Sequence, residues 1–180
     1  MIHHLRIAFL GMMLVFCGLA APAAMAAKLS DGDIETLRTE LSSMLASFEQ
    51  GDYEALLAKT HPVLYDMAGG REALERSMRQ AQERIEAAGI RFVSSEMGVP
   101  TETYPAGDEE LCFVPRVSII ESGGKRIRSA TFMIAIRRIG GTEWRYLDGS
   151  GLRRDPEKLY HFFPALQRDL PLPPNTTEPL

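Results

Sequence analysis

A chain of 180 residues, 45% hydrophobic and 24% charged, with a formal net charge of −4, is long enough for one domain with a core of its own. Its acidic balance excludes a reader of the nucleic-acid backbone, which depends on clustered Lys and Arg. Arg137-Arg138 and Arg153-Arg154 are pairs rather than a stripe, and read as solvated strand ends.

The amino terminus has the build of a secretory signal peptide over residues 1–26. Met1–Arg6 carries positive charge and no acid, Ile7–Leu19 is an apolar run of 13 residues, and Ala24-Met25-Ala26 offers a small-residue cleavage site. An uncleaved anchor or a lipid on Cys17 are the alternatives. Against the first, 13 residues span roughly 20 Å as helix, short of the ~30 Å hydrocarbon layer. Against the second, Phe16 stands where a small residue is needed. The expected location is the periplasm or the exterior, with no stable membrane anchor after cleavage. The remaining chain has 19 basic against 24 acidic residues, a formal charge of −5, and retains His61, His161 and Cys112. One cysteine forms no intramolecular disulfide and reads as a small buried hydrophobe. Two histidines without HExxH spacing predict no metal site, and no cofactor motif is present.

In chain order, Ile34, Leu37, Leu41, Met44, Leu45 and Phe48 form one stripe of a helix that starts near Ser30–Asp33 and stops at Gly51. Asp52 caps a second, short helix from Tyr53 to about Lys59, ended by His61-Pro62. After Gly69-Gly70, Leu74, Met78, Ala81, Ile85 and Ala88 mark a third helix, with Glu72–Arg76 and Glu75–Arg79 spaced to pair. Beyond Gly89 the period changes from 3.6 to 2. Ile90–Ser95 is a strand and Thr101–Glu110 has the composition of a loop. Leu111–Glu121 is a strand whose Pro115 implies an edge or a bulge. Ser122-Gly-Gly-Lys125 turns into Arg126–Ile139, where Ala130, Phe132, Ile134 and Ile136 share a face. Gly140-Gly141 turns into Thr142–Asp148, with Trp144, Tyr146 and Asp148 on one face and Leu147 on the other. Asp155-Pro156 opens a short helix to Phe163, and Pro171–Leu180 is a proline-rich, extended or frayed tail. The fold class is therefore α+β: three N-terminal helices packed on a curved antiparallel sheet, one domain over residues 27–170, a short C-terminal helix and a tail over 171–180.

The run Phe48-Glu-Gln-Gly-Asp-Tyr-Glu-Ala-Leu-Leu resembles the junction of the first two helices in the nuclear-transport-factor-2-like superfamily. The order of helices and hairpins from Asp31 to about Asp148 resembles it too. Trp144-Arg-Tyr-Leu-Asp-Gly-Ser-Gly-Leu, followed by a capped helix and a proline-rich end, is similar to secreted bacterial proteins of unassigned function. The resemblance implies a cone with a pocket at its open end, and it allows a homodimer. Its members include ketosteroid isomerases, polyketide cyclases and non-catalytic binding modules.

Asp148 with Tyr146 is the sharpest candidate for proton transfer, since a carboxylate inside a cone has a raised pKa. Asp148-Gly149 is equally an ordinary strand-to-turn junction. His61, beside Tyr65 and Asp66, is a second candidate base and equally a helix stop, while His161 flanks an apolar anchor. Gly149-Ser150-Gly151 lacks the G-x-S-x-G spacing of a nucleophile elbow. The glycine pairs are turns rather than phosphate cradles. Tyr65, Asp66, Phe132, Trp144 and Tyr146 are the expected ligand contacts. Two functions follow: a secreted, non-catalytic binding protein for a small apolar ligand or a protein partner, or a small isomerase or lyase using Asp148 or His61 with a tyrosine.

Overall fold

The computed structural model describes residues 26–180. The segment on which the signal-peptide reading rests, 1–25, lies outside the described residues. A two-residue strand, β1 (Ala27–Lys28), leads into α1 (Asp31–Glu49). Ser30 caps α1 by accepting the Asp33 N–H at 3.1 Å, and its own hydroxyl donates to Asp33 Oδ2 at 2.8 Å. Gly51, at φ 71°, closes the helix, and the Asp52 N–H reaches back to the Ser47 carbonyl at 2.8 Å. Asp52 then caps α2 (Tyr53–Lys59) through the Ala55 N–H.

A helix beyond the expected three follows at once, α3 (Val63–Ala68). Pro62 ends α2 and also starts α3, because a proline that cannot continue one helix fits the first turn of the next. Gly69 and Gly70 break the chain before α4 (Arg71–Ala87), which carries the Glu75–Arg79 pair at 2.6 Å and Glu72–Arg76 at 3.9 Å.

The sheet has seven strands among the described residues. Its spine is the long hairpin of β4 (Glu109–Ser122) and β5 (Lys125–Arg138), turned by Gly123 and Gly124 at φ 58° and 73°. On one side β4 pairs first with β3 (Glu102–Ala106) and then with β2 (Arg91–Met97). On the other, β5 pairs with β6 (Arg145–Asp148) and β7 (Thr176–Pro179). Three segments thus differ from expectation. The stretch read as loop, 101–110, is strand β3, a turn at Gly107-Asp108 and the start of β4. The proline-rich tail returns to the sheet as β7. Pro115 lies inside the spine, but its missing N–H faces the gap between β3 and β2, where Gly98 N donates to the Pro115 carbonyl at 2.7 Å. No ladder bond is lost there.

Alternation along the strands divides the sheet into two faces. Leu111, Phe113, Phe132, Ile134, Ile136 and Leu147 pack against Leu152 and against Leu159, Tyr160 and Phe163 of α5 (Glu157–Phe162) and its exit. Asp155 does not cap α5 with its side chain, which meets Lys158 at 3.7 Å instead. On the other face Cys112, Val114, Met133, Ala135, Trp144 and Tyr146 pack under Leu37 and Leu41 of α1. Cys112 has no exposed surface, and burial pushes its thiol up to about 12. Iodoacetamide is therefore expected to alkylate Cys112 at least about a hundredfold more slowly in the native protein than in urea, read by mass mapping of its peptide. Comparable rates in the two states would show that the strand opens readily.

Arg137 is not a solvated strand end. Its guanidinium lies between Asp33 at 2.6 Å and Glu110 at 2.7 Å, stacked 4.2 Å above the Trp144 ring. The N-terminus of α1 is thereby fastened to the sheet.

Candidate functional site: an amphipathic cavity under the helices

The helix-side face does not stay apolar along the spine. Across the β4–β5 register, the pairs Cys112/Ala135 and Val114/Met133 give way to Arg116/Thr131 and Ser118/Ser129, then to Ile120/Ile127. Above this polar stretch lies a cavity of about 490 Å³, within the ~300–1,000 Å³ typical of small-molecule sites. Its walls are Met44, Leu45 and Phe48 of α1, Leu56 of α2, Leu64 of α3, and Met78, Ala81 and Ile85 of α4. Its floor is Arg116, Ser118, Ser129, Thr131, Tyr146 and Asp148. None of the residues of α4 is fully buried: its apolar stripe faces the cavity rather than a packed core.

The floor is held by its own bonds. Arg116 Nη2 meets Asp148 Oδ2 at 3.1 Å, and Nη1 lies 3.6 Å from Met133 Sδ. Asp148 Oδ1 accepts the Ser150 N–H at 2.7 Å, the aspartate turn expected at a strand end. The Ser95 and Ser118 hydroxyls are 2.9 Å apart. Two buried donors, Arg116 Nε and Thr131 Oγ1, have no hydrogen-bond partner within the protein.

Of the residues singled out from the sequence, Tyr146 and Asp148 line this cavity together. The Tyr146 hydroxyl points away from it, donating to Glu40 Oε2 at 2.7 Å, while Glu40 Oε1 takes Lys59 Nζ at 2.7 Å. Burial, reinforced by the Glu40 carboxylate, raises the Tyr146 phenol well above its ordinary value. It stays protonated as a structural donor.

The other candidates lie elsewhere. His61 packs 5.6 Å from the Phe163 ring; its Nδ1 accepts the Val63 N–H at 3.3 Å, which leaves the Nε2 proton for Glu109 Oε1 at 3.2 Å. Tyr65 donates to the Leu57 carbonyl and Asp66 is exposed. Trp144 is sealed in the α1 core beneath Arg137. Phe132 sits on the opposite face, edge-on to Phe113 at 5.7 Å, because alternation turns it away from its cavity-lining neighbours Thr131 and Met133. His161 is exposed beside Phe162.

Arg116, Thr131 and Ser118 carry the polar floor and were not among the sequence candidates. Their signal was a polar interruption at alternate positions of two apolar strands, visible only once the strands are set in register. Among the described residues, no cluster of three or more His, Cys, Asp or Glu side chains comes together, and no helix is long and apolar enough to cross a membrane.

Fold and site together define an α+β protein with an amphipathic cavity between four helices and one face of an antiparallel sheet. Neither a family model, nor a curated protein, nor a solved structure matches the chain.

Proposed function

We propose that this protein is a secreted or periplasmic, non-catalytic binding protein whose ligand is a small, mainly apolar molecule held in the cavity between the helices and the sheet. The observation that carries this reading is the cavity itself: about 490 Å³ walled by aliphatic, methionine and phenylalanine side chains from four helices. The likeness to the nuclear-transport-factor-2-like superfamily in element order supports it. An isomerase or lyase needs a base and an oxyanion donor converging on one substrate. Here Tyr146 donates to Glu40, His61 faces the opposite core, and Asp148 is tied to Arg116 and Ser150. The geometry therefore favours binding over proton transfer.

Titration with the neutral fluorophore N-phenylnaphthylamine tests the reading. Wild-type protein is expected to enhance its emission saturably. The substitution Ala81→Trp, which fills the cavity from α4, is expected to weaken binding at least about tenfold while the circular dichroism of the fold is retained. Equal binding by the two proteins, or none by either, would overturn it. Intact mass of the protein recovered from outside the cytoplasm, expected to begin at Ala27, checks the location.

A further inference from the structure

We infer that the ligand of this cavity is a single-chain amphiphile whose head presents a carbonyl-type acceptor oxygen, read by Arg116 and Thr131. The inference rests on the binding reading above and gives the ligand its polar end.

A purely apolar ligand would be served best by an apolar floor. The sheet could supply one, since the pairs on either side of the polar stretch are Val114/Met133 and Ile120/Ile127. Instead it sets an arginine and a threonine opposite each other on neighbouring strands. Thr131 is 3% exposed, and both its Oγ1 and Arg116 Nε lack a partner within the protein. Buried donors without acceptors are costly and uncommon, so a pair of them on the floor of a cavity marks where an acceptor belongs. The remaining polar groups there are already committed: Ser118 to Ser95, and Asp148 to the Ser150 N–H and Arg116 Nη2.

Charge narrows the head group further. The ion pair with Asp148 leaves the floor neutral, so a neutral carbonyl adds no net charge. A carboxylate is equally accommodated, because the Asp148 side chain is 47% exposed and can be solvated when a second acceptor approaches the guanidinium. An ammonium head finds donors where it needs acceptors. The apolar tail then lies along Met44, Phe48, Met78 and Ile85.

Displacement of bound N-phenylnaphthylamine by competitors of equal chain length, all below their micelle concentrations, tests the inference. Laurate and methyl laurate are expected to displace the probe at least about tenfold more tightly than dodecylamine. In Thr131→Val, which keeps the side-chain shape, and in Arg116→Met, that ratio is expected to fall towards one, with thermal melts showing that each variant is folded. Should Arg116→Met not fold, Thr131→Val alone decides. A preference for laurate over its ester assigns a carboxylate head, and the reverse assigns a neutral carbonyl. If the probe binds but the three competitors displace it equally, or the amine wins, the acceptor-head inference falls and the binding reading stands. If the probe does not bind the wild type, both fall.

Discussion

Substituting Arg137→Met is expected to destabilise the protein by about 2 kcal/mol near neutral pH, because it leaves two partly buried carboxylates without the cation they share. Arg137 holds Asp33 and Glu110, whose side chains are 23% and 13% exposed, and its own is 15% exposed. Methionine keeps much of the stem and its packing on Trp144, so the loss isolates the charge. The cost then has a definite pH dependence. Burial raises the Asp33 carboxyl, but hydrogen bonds from Ser30 and Arg137, together with the Arg137 charge, outweigh it and hold the group below its ordinary value of 3.8. A group with a depressed native pKa stabilises the fold above its unfolded value and loses that contribution as pH falls through the folded one. Wild type and variant should accordingly differ most near neutral pH and converge below about pH 4. Urea denaturation at about pH 7 and about pH 3 measures both quantities. A difference under about 0.5 kcal/mol at neutral pH would mean that the network is worth no more than a surface pair.

The same residue shows where sequence reasoning stops. Arg137-Arg138 at the end of an apolar strand has the look of a solvated terminus, and for Arg138 that is its state, since it is exposed. Whether Arg137 is buried depends on where the first turn of α1 lands, which no local pattern states. Local patterns did carry the helices, because a stripe at 3.6 spacing bounded by Ser30, Gly51 and Asp52 has one physical solution. They also carried the β4–β5 hairpin, where Gly123 and Gly124 supply the φ values the turn requires, and the turn at Gly140, although the strand after it begins at Arg145 rather than Thr142. Where one signal serves two elements, the pattern is ambiguous: Pro62 stops α2 and starts α3, and only the stop is visible in one dimension.

The site was legible to the same degree. Alternation correctly groups Tyr146 with Asp148, and Phe132 with Ile134 and Ile136, yet it is silent on which group the helices cover. That choice belongs to the packing of α1 on Trp144 and Tyr146, and it sends Phe132 to the C-terminal side. Arg116 and Thr131 become a pair only through a register spanning the whole hairpin.

Substituting Gly149→Ala is expected to destabilise the protein by about 2–3 kcal/mol and to disturb the cavity floor at the same time. Gly149 is buried, and a Cβ there would stand 2.5 Å from two atoms of the Phe132 ring and 2.6 Å from the Phe132 carbonyl oxygen. The ring is fixed edge-on to Phe113 in a packed core, and the carbonyl belongs to the β5 backbone, beside the Met133–Asp148 pairing. Neither can withdraw cheaply, so the turn Gly149–Arg153 must lift away from the sheet. That movement pulls on Asp148 and Ser150, which line the cavity, and on the bond from Asn175 Nδ2 to the Gly149 carbonyl at 3.0 Å. The ion pair to Arg116 loosens with it, so weaker ligand binding should accompany the lower melting temperature. Gly151→Ala is the internal control. It lies in the same turn with nothing within 4 Å of its added Cβ, and should change stability by no more than about 0.5 kcal/mol. Thermal melts of the two variants compare them directly. Equal losses would point to the turn's conformation as the source of the cost, whereas a loss confined to Gly149→Ala assigns it to the close approach of the turn to β5, which holds Asp148 over the cavity.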